Sequence, residues 1–152
     1  MAVEKMTLEK ATDILANQGF HCSQCVMWHT AEALGMDKKQ ALRMSDGLGG
    51  GSFAGGTCGA VAGGVISLGL VYGYDEAGAA EQNAILVEKV QEFENKFTEK
   101  YGTLLCKELL RGWDFSRPGH TEKIMSEGLT SGCPQICADV CDILDEMLAD
   151  HL

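Results

Sequence analysis

The sequence is short of positive charge. Twelve Lys and Arg face 22 Asp and Glu, for a net charge of -10. Such a surface repels phosphate backbones and anionic headgroups, which argues against nucleic-acid and membrane-surface partners. No run of alternating apolar and polar residues marks a half-buried strand. There is no repeat and no linker composition, and no serine stands in a nucleophile elbow. No basic segment leads into an apolar one near the start, so no secretory leader is expected and the expected compartment is the cytoplasm. Leu48 to Tyr74 carries no charged residue, but its apolar part, Gly59 to Tyr74, is only sixteen residues long. A spanning helix needs about twenty. The stretch is therefore expected to be a buried central helix.

What is present is helical pattern and punctuation. Apolar spacing predicts helices over Lys5–Asn17, Cys22–Leu34, Lys38–Met44 and Ala77–Lys100. Thr57 is the expected N-cap of an apolar helix ending at Tyr72, and Thr103 that of a short helix through Arg111. A last helix opens at Ser131 or Cys133, with Pro134 in its first turn. With 152 residues, the expectation is one all-α domain, a helical bundle around the glycine-rich central helix. Gly59, Gly63, Gly69 and Gly73 would let neighbouring helices approach that helix closely, and its glycine-faced apolar surface is compatible with a homodimer.

Nine of the eighteen residues from Gly47 to Gly64 are glycine. A phosphate-binding loop would end in Gly-Lys-Ser/Thr, but this one ends in Gly55-Gly56-Thr57 without lysine. Gly49 to Ala54 fits a loose G-x-G-x-x-A, yet no strand precedes it, so the dinucleotide-binding setting is missing.

Seven cysteines remain. An odd number rules out a complete set of intramolecular disulfides, and in a reducing compartment such usage points to metal ligation or redox chemistry. Cys22, Cys58, Cys106 and Cys133 each fall at an expected helix start, where free N–H groups and the helix dipole favour thiolate. Thiolate is both the nucleophile and the metal-binding form. Cys22 and Cys25 form a C-x-x-C, but Val26 stands where covalent haem attachment needs histidine. Cys133, Cys137 and Cys141 are spaced to stack along one helix face. Packing is the favoured account of Cys137 and Cys141, since cysteine is so often buried, and with Cys25 they are secondary metal-ligand candidates. His29, four residues after Cys25, could join a zinc set.

These residues resemble a known pattern. "GFHCSQCV", "GLGGG…GGTCGAVAGG", "YGTLLCKELLRG" and "CPQICADVCDIL" occur in order along nearly the whole chain. They are similar to the redox-active family named for its C…GCAxxG…C…C pattern, whose most specific part corresponds to Cys58–Gly63. The family's four cysteines fall on Cys22, Cys58, Cys106 and Cys133, leaving Cys25, Cys137 and Cys141 as additions. The resemblance implies a small helical protein associated with oxidoreductases in anaerobic prokaryotes. Split-Soret cytochromes look like relatives that carry an iron–sulfur centre and add haem. The expected function is electron transfer through a centre held by these four cysteines, a 2Fe–2S or 4Fe–4S cluster, with an oxidoreductase as partner. Backbone N–H groups around Gly56, Thr57 and Gly59 would hydrogen-bond its sulfur. Two alternatives stand beside it. One is thiol–disulfide chemistry without metal, with Cys58 as the reactive thiolate and Cys22, Cys106 and Cys133 as further redox thiols. The other is structural zinc.

Overall fold

The computed structural model describes residues 3–152. It is all-α, with eight α-helices among the described residues: α1 (Leu8–Thr12), α2 (Cys22–Thr30), α3 (Lys38–Ser45), α4 (Gly59–Tyr72), α5 (Ala80–Tyr101), α6 (Cys106–Leu109), α7 (His120–Ser126) and α8 (Cys133–Met147). The only pairing of extended backbone among these residues is an isolated antiparallel bridge, Thr57 to Leu105.

The helix boundaries have local causes. The Thr7 hydroxyl caps α1 by accepting from the Lys10 amide, and the Asp37 carboxylate caps α3 by accepting from the Gln40 amide. At α2 the His21 amide donates to the Gln24 side chain, one half of a capping box. Gly102, left-handed at φ 78°, ends α5. Two expected caps move by a residue or two. Cys58 itself, not Thr57, is the N-cap of α4, and Leu105, not Thr103, that of α6.

α4 is apolar on all sides and lies at the centre, packed against α2, α5 and α8. Its glycines decide how closely. A Cβ at Gly63 would lie 2.9 Å from the Ser23 carbonyl oxygen on α2, and one at Gly64 would lie 2.2 Å from the Phe93 ring on α5. Gly69, expected at a helix contact, faces open space, and Gly73 is the C-cap of α4. Gly64 takes the role expected of Gly69, because it is the residue turned toward the fully buried Phe93.

The core around α4 is built from Met6, Ile14, Val26, Val61, Leu68, Phe93, Phe97, Val140, Leu144 and Leu148. Polar ties cross it. The Thr30 and Ser67 hydroxyls meet at 2.7 Å between α2 and α4, and the Ser23 hydroxyl donates to the Ser45 carbonyl at 2.6 Å. The Lys100 ammonium at 2.7 Å, the Tyr101 hydroxyl and the Gln135 amide at 2.8 Å all donate to Asp139. Burial alone would raise the Asp139 pKa, but these donors outweigh it and hold the carboxyl below its ordinary range. They fasten the C-terminus of α5 to α8.

Gly64→Ala is expected to overpack the Phe93 contact and destabilise the fold by about 1–3 kcal/mol. Urea midpoints should fall for Gly64→Ala and recover in part when Phe93→Leu is added. An unchanged midpoint would mean that the Phe93 ring is free to move aside.

Candidate functional site

The site is assembled at helix starts. Cys22 and Cys133 are the first residues of α2 and α8, Cys106 is the first of α6, and Cys58 caps α4. The antiparallel bridge sets two of them. The Cys58 amide donates to the Leu104 carbonyl and the Cys106 amide to the Gly56 carbonyl, both at 2.7 Å. Side chains alternate across extended backbone. Thr57 and Leu105 therefore point outward and are exposed, while Cys58 and Cys106 turn inward and are buried.

The glycine-rich segment closes over this bridge. Gly50, Gly51, Ser52 and Phe53 are all left-handed, with φ of 59°, 64°, 58° and 57°, so they form one turn of left-handed helix. The turn closes where the Gly56 amide donates to the Gly51 carbonyl at 3.0 Å, and a Cβ at Gly51 would lie 2.3 Å from the Gly56 nitrogen. A Cβ at Gly49 would strike His21, just before Cys22, and one at Gly55 would strike Lys107, just after Cys106. The loop is thus wedged against two of the cysteine-bearing helix starts.

Cys22 is the thiol whose acidity stands apart, and its neighbours set it. Hydrogen bonding from Cys133, and then from Cys137, holds its thiol well below the ordinary range. The other three respond in the opposite sense. Burial pushes Cys58 up to about 12, with the Cys22 charge adding to the effect. Burial and Cys22 also raise Cys106, to about 11. Cys133 is raised first by its hydrogen bond to Cys22 and then by burial. The four thiols titrate as a linked set, with the first negative charge on Cys22.

For Cys58, expected as the reactive thiolate, the balance runs toward the neutral thiol. The nearby amides of Val61 and Ala60 pull its pKa down, but burial outweighs them. Gly56, expected to offer its N–H to sulfur, instead spends its amide on Gly51 and its carbonyl on Cys106. Thr57 lies on the outer side of the bridge. Gly59 serves by having no side chain, since a Cβ there would lie 3.1 Å from both the Leu48 oxygen and the Ser23 nitrogen.

The model of the family described as "Putative redox-active protein (C_GCAxxG_C_C)" matches residues 20–147. The chain belongs to this redox-active family. No curated protein and no solved structure matches it. The match takes in all seven cysteines of this family member.

The remaining candidates separate. The His29 Nε2 pairs with Asp145 Oδ1 at 2.6 Å, with the imidazole almost wholly buried, so it ties α2 to α8 instead of joining the four thiols. Cys25, Cys137 and Cys141 are fully buried, as packing residues would be. Cys137 is more than packing, because its thiol lies 3.8 Å from the Cys22 carbonyl oxygen at the start of α2. Its spacing of one helical turn from Cys133 was the available signal. Among the described residues, no three His, Cys, Asp or Glu side chains are disposed around a single ion position. No helix among them is long and apolar enough to cross a membrane.

Thiols react with alkylating agents as thiolates, which fixes the sign of the pH dependence. In metal-free protein at about pH 7, iodoacetamide should label Cys22 first, while labelling of Cys58 and Cys106 should still be rising at pH values near 12 and 11. Cys133→Ser should slow labelling of Cys22 at neutral pH. Site-resolved mass spectrometry reads both effects, and Cys58 reacting first would contradict this charge distribution.

Proposed function

We propose that this is an electron-transfer protein in which Cys22, Cys58, Cys106 and Cys133 hold an iron–sulfur cluster serving an oxidoreductase partner. What supports this reading is that the four thiols stand at four helix starts beside a close-packed glycine loop, with Cys58, Cys106 and Cys133 all raised in part by the Cys22 charge. The donor chemistry fits, since cysteine thiolates are the common ligands of such clusters. A bound cluster would supply one-electron chemistry.

The chain's own residues would do the rest. Helix-start amides, including those of Ala60 and Val61, favour negative charge on sulfur, and hydrogen bonds to sulfur tune potential. Burial of Cys58 and Cys106 keeps water from that side. A single tetrahedral zinc ion would need its sulfurs about 2.3 Å from one point, and no observation here favours that arrangement over a larger centre.

A second reading has its own support. The low-lying Cys22 thiol, with Cys133 and Cys137 against it, suits thiol–disulfide chemistry with Cys22 in the attacking role first expected of Cys58.

Protein purified without oxygen should be brown, with iron and acid-labile sulfide in near-equal amounts. Serine at position 22, 58, 106 or 133 should reduce loading. Colourless protein that iron and sulfide cannot reconstitute would overturn the cluster reading. Gly59→Val, which must push apart the Cys22 and Cys58 backbones, should lower iron loading more than it lowers far-ultraviolet helicity. Full loading in that variant would reduce Gly59 to a packing role.

A further inference from the structure

Among the described residues, three other than glycine hold left-handed backbone: Ser52, Phe53 and Arg111, at φ 58°, 57° and 60°. All three are exposed. Such backbone is uncommon for a residue with a side chain, and where that side chain is not packed away it points to a demand beyond folding. Phe53 is 43% exposed, and Leu105, on the outer side of the Thr57–Leu105 bridge, is 41% exposed. α6 packs against the glycine turn, and Gly55 abuts Lys107. Phe53, Thr57 and Leu105 thus make an uncharged strip, edged by Lys107 in α6 and Arg111 just beyond it. Directly inside the strip are Cys58 and Cys106, the chain neighbours of Thr57 and Leu105.

Charge sets this side of the molecule apart. Residues 47–74 carry none, and residues 100–117 carry four basic residues against two acidic ones. Of the 12 basic and 22 acidic residues in all, that leaves 8 and 20 for the rest of the chain. Lys100 is paired with Asp139 and Arg117 with Asp114, whereas Lys107 and Arg111 enter no ion pair among the described residues. Glu108 is the exposed acid between them, and Asp46 faces His21 at 3.4 Å.

We propose that this strip is where a redox partner protein docks, and that the partner presents carboxylates around an uncharged centre. A carboxylate-rich partner is repelled by the rest of the chain and steered to the side that covers the sulfurs. A basic partner would be drawn instead to the acidic faces away from them. Phe53 and Leu105 supply the apolar centre of the contact, and Lys107 and Arg111 its charged rim. The partner's chemistry deepens the electron-transfer reading of the same site and rests on it.

The test uses full-length protein purified without oxygen. The probe is a small 2Fe–2S ferredoxin of net negative charge, and the control is basic cytochrome c. Hydrogen exchange read by mass spectrometry decides the surface whether or not the protein holds iron. The ferredoxin should protect residues 50–57 and 104–112, less so at high salt, and cytochrome c should leave them unprotected. Arg111→Gly and Phe53→Gly remove the two large strained side chains and place glycine where left-handed backbone suits it. Each should keep a urea midpoint near that of the unmodified protein and yet weaken ferredoxin binding about tenfold. No protection by ferredoxin at low salt, protection of other segments instead, or unchanged binding in both variants would overturn the proposal. Protection of these two segments by cytochrome c would also overturn it. Stopped-flow reduction of iron-loaded protein by reduced ferredoxin separates the two readings. Docking without electron transfer would overturn the electron-transfer reading and leave the surface standing, whereas transfer at an unchanged rate in both variants would overturn the surface and leave that reading.

Discussion

The site depends on two helices touching where one has no side chains. Gly59 and Gly63 are one turn apart on α4, and both meet the backbone of Ser23 on α2. A Cβ at either would lie within about 3 Å of a Ser23 backbone atom, at 3.1 and 2.9 Å respectively. Ser23 follows Cys22, and Gly59 follows Cys58, so backbone contact between these helices sets the spacing of their first cysteines. The bridge between Thr57 and Leu105 then adds Cys106, and α8, packed on α2 and α4, adds Cys133. Neither bridge nor packing would have this effect with alanine-sized separation at the first contact.

Electrostatics follows from that enclosure. A helix start favours a nearby anion by about 0.3–1 kcal/mol, or about 2 when partly buried. Burial moves Cys58 from the ordinary thiol range to about 12, and each unit corresponds to about 1.4 kcal/mol. The larger effect wins, so placement at a helix start does not make Cys58 acidic. Cys22 differs because hydrogen bonding from Cys133, and then from Cys137, outweighs its burial. An electropositive end is therefore an incomplete argument for a reactive cysteine. The decisive quantity is the balance between hydrogen bonds received and water lost.

This limit marks what the sequence could tell. Helix identities and most ends were legible, because apolar period, caps and stop glycines are local signals. The four cysteine positions were legible for the same reason. The partner of each glycine was not, since Gly64 and Gly69 look alike until helix rotation decides that one meets Phe93 and the other meets nothing. Cys137 illustrates the same gap. Its spacing from Cys133 placed it on the buried face, but only the packing of α8 against α2 brings it to the Cys22 carbonyl. His29 pairs with Asp145, 116 residues away, which no local pattern could indicate.

The left-handed turn at Gly50–Phe53 shows how strongly the loop is held. Ser52 and Phe53 have side chains in a conformation that costs roughly 1–2 kcal/mol per residue. Replacing them by glycine would relieve that strain but would also loosen the unfolded chain, so the net effect on stability is smaller than the strain itself. The turn is kept in place from several sides. Phe53 meets His21 edge-on at 5.2 Å, Gly50 abuts Phe115, and Gly55 lies against Asp114 and Lys107. These contacts join the start of α2 to the segment following α6, across the Thr57–Leu105 backbone bridge. The glycines let backbone run where side chains would hold the sulfur-bearing helix starts apart, and two strained residues complete the enclosure.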